Sequence, residues 1–375
     1  MDRRQFIAAG AAGVALAVRP DAAIAAAPAL DRLVTEKLNG TGFGGTVLVA
    51  AHGKPVLRRG YGTADRAFGI LCAPDTAYRI ASITKLFTAT IVLRLWDQGK
   101  LDLDAPIATY LPDYRGVGAA RVKLRHLLNH TSGIENFDKA LTSYADAAKA
   151  GMPAYQLPHT PRELMDRFAS GPLVHEPGTA FDYNNGDYVI LGQIIEAVEQ
   201  SSFDRIVARD ITTPLGMRST GMAGPQSIIP RLAPTYYKDG AGALAGEMPI
   251  YPQNWYAAGG LYSTADDLLA FANALYGGRL IPPARLQTLL TPGLDDYGCG
   301  LWVASLDVDG RKHRFAQRPG QIMGANTLLL RMLDDDVTII ILANTNLVDT
   351  DRLGFHIARQ VLRSRSGTIP TAQAR

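Results

Sequence analysis

Gly44-Gly45-Thr46-Val47-Leu48-Val49-Ala50, a His52-Gly53-Lys54 turn and Pro55-Val56-Leu57-Arg58-Arg59-Gly60-Tyr61 form the stretch that decides the fold. Aliphatic and β-branched runs bounded by glycine-bearing turns read as a β-hairpin. A lone hairpin is marginal in water, so it needs further strands. None lies nearby. Residues 30–38 before it carry apolar side chains at helical spacing, and the chain from Ser82 to about Leu290 is mostly helical. The helical segments read there are 82–98, 124–129, 161–168, 186–200, 203–211 and 264–276, joined by loops rich in Pro and Gly. Strand periodicity returns after Tyr297, in 300–308, 312–317, 326–333 and 337–343, and a closing helix runs from about Asp351 to Arg363. Two strands at one end and about four at the other predict an α+β fold. One antiparallel sheet is built from both termini and flanked by helices, with a mostly helical lobe inserted. The expected division is 26–80 and 258–365 for the sheet lobe, 81–257 for the helical lobe and 366–375 for a flexible tail.

Residues 1–25 read as an export signal. Arg3-Arg4 precedes Gln5-Phe6-Ile7, then comes a short run of small apolar residues over 8–18, then an A-x-A site at Ala23-Ile24-Ala25. The arginine pair resembles a twin-arginine signal, which predicts a periplasmic or secreted protein of bacterial type. Elsewhere no apolar run approaches the ~18 residues of a spanning helix. The formal charge is +3, from 38 basic and 35 acidic residues, with no block of one sign. A nucleic-acid partner is therefore not expected. Cys72 and Cys299 can pair in an oxidising compartment or remain two thiols, and spacing does not choose between them. Gly40-Thr41-Gly42-Phe43-Gly44-Gly45 matches a dinucleotide fingerprint in letters only. It follows a helix and precedes a strand, the reverse of what a phosphate-cradling turn needs. His126 and His130 stand four apart but have no Glu between them and no third ligand, so no metal is expected.

Ser82-Ile83-Thr84-Lys85 opens the first long helix. Residues at i and i+3 share a helix face, which brings the amine to the hydroxyl. A serine becomes nucleophilic when a neighbouring base takes its proton, and a Lys in a dry, cationic site can be neutral enough to do so. At a helix start the free N–H groups favour negative charge, so the Ser82 N–H can hold an oxyanion. Ser is also a common N-cap, and local sequence leaves both readings open. Tyr183-Asn184-Asn185 lies in a loop before the apolar helix 188–198. A tyrosine beside an ammonium can lose its proton well below ~10 and act as a base. Asn185 offers a donor and an acceptor to Lys85 and to an amide-like substrate.

Ser82-x-x-Lys85 with Tyr183-x-Asn185 about 100 residues later resembles the serine β-lactamase-like family. That family includes class C β-lactamases, D-alanyl-D-alanine carboxypeptidases and family VIII-type esterases. Leu127-Leu128-Asn129-His130-Thr131-Ser132-Gly133, Pro177-Gly178-Thr179, Pro214-Leu215-Gly216-Met217, Ala258-Gly259-Gly260-Leu261-Tyr262-Ser263 and Tyr297-Gly298-Cys299-Gly300-Leu301-Trp302 extend the likeness from about Leu30 to Leu362. The resemblance implies a third motif, Lys-Thr-Gly or His-x-Gly, on a strand beside the serine. Here Arg318-Pro319-Gly320-Gln321 stands in that place. Gly320 lets substrate approach the strand backbone. By resemblance the Gln321 N–H is the second oxyanion donor. Arg318 departs from the pattern: it cannot shuttle a proton, but it can grip a carboxylate bidentately. Pro319 removes a ladder donor and asks for an edge.

Taken together, these readings predict an exported serine hydrolase of small esters or amides with a Ser82 acyl-enzyme and no cofactor. Lys85 and Tyr183 do the proton work, while Asn185, Arg318, Gly320 and Gln321 hold the substrate, a small molecule or short peptide. The alternatives are a D-amino-acid peptidase or carboxypeptidase, a β-lactamase, and a non-catalytic peptide- or peptidoglycan-binding protein of the same fold. Tyr236, Tyr251 and Trp255 in the long loop 224–260 either line an apolar acyl pocket or pack loop against lobe. Oligomeric state is left open.

Overall fold

The computed structural model describes residues 27–366 except 139–148, 150, 225 and 239–241. The export signal read in 1–25 lies outside these residues, and so does the expected tail from 367 onward. The chain opens with helix α1 (Ala27–Leu38) and the hairpin β1 (Gly45–Ala51) and β2 (Lys54–Tyr61). Its tight turn holds His52 and Gly53 both at positive φ, 50° and 72°. Two-residue hairpin turns of this hand match the twist of the strands they join. The far end of the chain supplies β3 (Trp302–Val308), β4 (Arg311–Ile322), β5 (Ala325–Met332) and β6 (Val337–Ala343). The six strands form one antiparallel sheet in the order β3-β4-β5-β6-β1-β2. The termini meet where Gly45 pairs with Ala343 and Ala51 with Val337.

Period-2 alternation divides this sheet between two apolar layers. Val47, Val49, Leu328, Leu330, Ile339 and Ile341 face one side, where they pack with Leu30 and Val34 of α1 and with Leu353, Ile357 and Val361 of the last helix. Leu48, Ala50, Leu329, Ile340 and Leu342 face the other, joining the helical block. Every residue of β1 and β6 is buried, which explains their unbroken apolar runs.

Within the block, helix α2 (Thr84–Asp97) is buried on nearly all its faces, from Thr84 through Leu93 and at Leu95. A helix apolar all round belongs in a core. Around it lie α3 (Leu124–Leu128), α4 (Asn185–Glu199), α5 (Tyr256–Gly259) and α6 (Ala265–Tyr276). The chain ends in α7 (Thr350–Ser366). Among the described residues no helix is long and apolar enough to cross a membrane.

Several expected boundaries move for local reasons. The helix read from Ser82 begins with a 3₁₀ turn, Ala81–Ile83, before α2 takes over. The segment read as 203–211 is α-helical over Phe203–Val207 and then widens to a π turn over Ala208–Thr212. The strand read as 312–317 continues to Ile322 and so takes up the third motif. β3 pairs with β4 only as far as Gln317, opposite Trp302. Residues 318–322 are thus held by β5 alone, with Pro319 opposite Leu328. Pro319 has the open flank that a strand proline needs.

Candidate active site

The nucleophile segment is clamped between the sheet and a small three-stranded sheet in which Tyr78–Arg79 and Gly221–Met222 flank Leu261–Ser263. Ile80 donates its N–H to Leu261 O, and its carbonyl accepts from Thr327 Oγ1 of β5 at 3.0 Å. Ala81 follows in the left-handed region, φ 49°. A non-glycine residue there costs free energy and persists only where its surroundings enforce it. The chain then turns Ser82 outward. Its hydroxyl makes no helix cap. Instead Ser82 Oγ lies 2.8 Å from the Tyr183 phenol oxygen and 3.2 Å from Lys85 Nζ. Of the two local readings of Ser82, the N-cap is not the one found, and its hydroxyl faces Tyr183 and Lys85.

Lys85 is fully buried, and its amine meets three acceptors: Ser82 Oγ, Asn185 Oδ1 at 2.7 Å and Ala258 O at 2.9 Å. Three acceptors match the three N–H groups of an ammonium. Burial pushes its pKa down, Tyr183 pulls it back, Arg318 lowers it again, and the balance is about 8. Lys85 can therefore give up its proton near neutral pH.

Arg318 is placed differently from expectation. It is 2% exposed, and its three donor nitrogens are committed within the protein. Nε donates to Ser82 O at 2.8 Å, Nη1 to Tyr297 Oη at 2.8 Å and Nη2 to Tyr183 Oη at 2.5 Å. One N–H on each nitrogen is spent on the protein, so the bidentate carboxylate grip read from sequence has only the second N–H of Nη1 and of Nη2 to use. Burial opposes ionisation of Tyr183, but Arg318 and Lys85 together outweigh it and hold the phenol below its ordinary pKa. Tyr183 is thus hydrogen-bonded to the nucleophile while two cations stabilise its anion. Trp302 lies nearly parallel to its ring, centroids 6.1 Å apart.

Ser82, Tyr183, Asn185, Arg318, Gly320 and Gln321 line a single open cleft of about 620 Å³. Another wall comes from the β6–α7 connection, with Asn346 and Asp349, and from Asp351 in the first turn of α7, which the sequence reading missed. Gly320 is required by contact. A Cβ there would lie 2.6 Å from Ile80 O and from Thr327 Oγ1 and 3.0 Å from Ser82 N. The strand backbone is therefore pressed against the nucleophile's own N–H. Tyr236, Tyr251 and Trp255 do not line this cleft. Trp255 instead stacks on Tyr155 with centroids 3.8 Å apart, so packing is the role realised for it. His126 and His130 share no helix face, because α3 ends at Leu128 and His130 turns left-handed, φ 56°. His130 is buried behind Tyr183 and pairs with Asp187 at 3.0 Å. Cys72 and Cys299 are separate free thiols.

With this geometry established, comparison with known proteins is informative. The family model described as Beta-lactamase matches residues 30–362. The chain belongs to the beta-lactamase family. It is 30% identical to Esterase EstB of Burkholderia gladioli over 62% of this chain and 65% of that protein. It is 28% identical to the D-aminopeptidase of Brucella ovis over 82% of this chain and 57% of that protein. The matched stretch thus spans less than two thirds of either relative's own length. Among solved structures, the D-stereospecific amidohydrolase of a Streptomyces species superposes with a TM-score of 0.70 at 28% identity, covering 93% of this chain and all of that one. The fold whose antiparallel sheet is fed by both ends of the chain is shared with that solved structure.

Proposed function

We propose that this family member is an exported serine hydrolase that cleaves esters or amides of small acyl compounds through a Ser82 acyl-enzyme. One observation carries the reading: the Ser82 hydroxyl sits 2.8 Å from a tyrosine oxygen that Arg318 touches at 2.5 Å. In the first half-reaction Ser82 Oγ attacks the carbonyl carbon and its proton passes to the Tyr183 oxygen. Lys85 donates to Oγ and balances the charge. The Ser82 and Gln321 N–H groups take the oxyanion. As the tetrahedral centre collapses, the alcohol or amine leaves with the proton that Tyr183 carries. Water then repeats the sequence, with Tyr183 as base, and releases the acid. Arg318 has no proton to spare in either step; its task is to keep Tyr183 ionisable.

A free-amine substrate such as a D-amino-acid amide is the second reading. Asp349 and Asp351 on the cleft wall favour it, since they present negative charge to an incoming ammonium. The export reading rests on the Arg3-Arg4 signal pattern. The deciding experiment is intact mass of the protein and of Ser82→Ala during incubation with an activated short-chain ester and with a penicillin. A Ser82-dependent adduct that decays with release of acid supports the hydrolase. Labelling by penicillin extends its range to β-lactams. No adduct with either reagent would bring forward a non-catalytic binding protein of the same fold.

A further inference from the structure

We propose that Asp138 is a positioning residue for the acylation step, acting through Asn185 on Lys85. The inference rests on the Ser82 reading above and concerns a side chain outside the motifs that led to it. Asn185 Nδ2 donates to Asp138 Oδ2 at 2.6 Å, and Asn185 Oδ1 accepts from Lys85 Nζ at 2.7 Å. The two ends of an asparagine amide have nearly the same shape but opposite polarity. Packing alone does not choose which end meets the amine. A carboxylate does, because it only accepts: it holds the NH₂ end and turns the oxygen to Lys85.

Asp138 is itself fixed. Tyr155 Oη donates to its two carboxylate oxygens at 2.9 and 2.7 Å, and the Tyr155 ring is stacked on Trp255. The loop is also fastened at its other end. Asn136 Oδ1 accepts the Asp138 N–H at 3.0 Å, and Asn136 Nδ2 donates to Tyr183 O at 2.8 Å. One short segment therefore grips both Tyr183 and Asn185. Were the Asn185 amide reversed, an N–H would face the Lys85 ammonium. That amine would lose one of its three acceptors and its aim at Ser82.

The carboxylate has an electrostatic effect as well. The charged and titratable groups facing it are Lys85 on α2 and Tyr155 on the short helix Pro153–Gln156, and Tyr155 in turn feels Tyr183. Its negative charge favours the protonated amine and so raises the pH at which Lys85 loses its proton.

The test is steady-state hydrolysis of p-nitrophenyl butyrate by a set of variants whose melting is measured alongside. Asp138→Ala should lower kcat by about 30-fold while KM changes little, the scale of a misplaced catalytic group. Asp138→Asn keeps an acceptor oxygen for Asn185 and can turn its NH₂ to the Tyr155 oxygen. It should recover most of that loss, with the acid limb of the pH profile moved to lower pH because the carboxylate charge is gone. In an Asn185→Ala background Asp138→Ala should cost no more than about 2-fold, since residues acting through one another are not additive. The exchange Asp138→Asn/Asn185→Asp preserves volume and sets a donor at 138 against the acceptor at 185, where Asn185→Asp alone leaves two carboxylates facing each other. It should exceed Asn185→Asp alone by at least about 10-fold, and that comparison decides the matter should Asp138→Ala fold poorly. Additive losses in the two backgrounds, or an exchange no better than Asn185→Asp, overturn the proposal. Ser82→Ala is run beside them. Retained hydrolysis there would refute the acyl-enzyme, whereas a dead Ser82→Ala with additive losses would refute only the role of Asp138.

Discussion

Arg318→Gln is the most telling perturbation of the site, because it removes one buried charge and leaves every candidate proton carrier in place. The guanidinium touches the Tyr183 oxygen at 2.5 Å. With charge centres ~4 Å apart and an effective dielectric near 20, its attraction for a phenolate is about 4 kcal/mol, or about 10³-fold in the population of the ionised base. The glutamine amide and water entering the vacated space return part of this. A fall in kcat/KM of about 10²-fold near neutral pH is therefore expected. The sign of the pH effect follows directly. Arg318 lowers the proton affinity of both Tyr183 and Lys85, so its loss raises both, and the acid limb of activity must move to higher pH. Raising the pH should recover much of the loss. Because the guanidinium acts on the tyrosine and not on the substrate, neutral and anionic esters should suffer alike. The assay is a pH–rate profile for a neutral and a carboxylate-bearing nitrophenyl ester, with thermal melting as a control for folding. An unshifted acid limb, or a loss confined to the anionic ester, would refute the reasoning.

Ser82→Ala should abolish the acyl adduct seen by intact mass while leaving the melting temperature near that of the parent; an adduct on the variant would point to another nucleophile. Tyr183→Phe should slow turnover of an activated ester by ~10²-fold or more, and an unchanged rate would remove it from the base role. The same change leaves Arg318 Nη2 without its acceptor, so it should also lower stability by about 1–3 kcal/mol in urea titration. Gly320→Ala puts a Cβ 2.6 Å from Ile80 O and from Thr327 Oγ1, and overpacking of this kind costs about 1–3 kcal/mol. Thermal melting should register that cost together with a loss of kcat; a variant equal to the parent in both would show that the strand can retreat from Ser82 freely.

What could be read in advance depended on how local its cause was. β1 and β6 were legible because each is a short, mostly apolar run bounded by turns, β2 because a tight turn joins it to β1, and the sheet that joins both ends of the chain follows from where those runs fall. Ser82, Lys85, Tyr183 and Asn185 were found through spacing on a helix face and through a known pattern. The extension of β4 to Ile322 was not legible, since Pro319-Gly320 breaks strand periodicity; pairing with β5 and contact with Ile80 hold it in place. Two-residue strands such as Tyr78–Arg79 and Gly221–Met222 leave no periodic trace either, yet they frame the nucleophile. Asp138 sits in no motif, and only the meeting of its loop with Asn185 gives it a task. The bonds of Arg318 were not legible for a related reason. Its identity pointed to a carboxylate, whereas its burial turned all three nitrogens inward.

In the mechanism proposed above, that burial also bears on which tyrosine serves as the base. Taking two cations such as Arg318 and Lys85 out of water costs several kcal/mol each unless an anion balances them. Among the described residues, Arg318 touches no carboxylate. Its acceptors are a carbonyl and the phenols of Tyr183 and Tyr297. Both phenols are shielded from water and both feel the guanidinium, yet their fates differ. For Tyr297 burial dominates, Arg318 alone does not overcome it, and the phenol stays protonated. Tyr183 has Lys85 beside it as well, 4.8 Å from its ring centre, and the two cations together hold its pKa below the ordinary value. One cation merely holds a tyrosine; a second lowers its proton affinity. In the proposed mechanism, the helical position that sets Lys85 against Ser82 therefore also favours Tyr183 as the residue that takes the serine's proton.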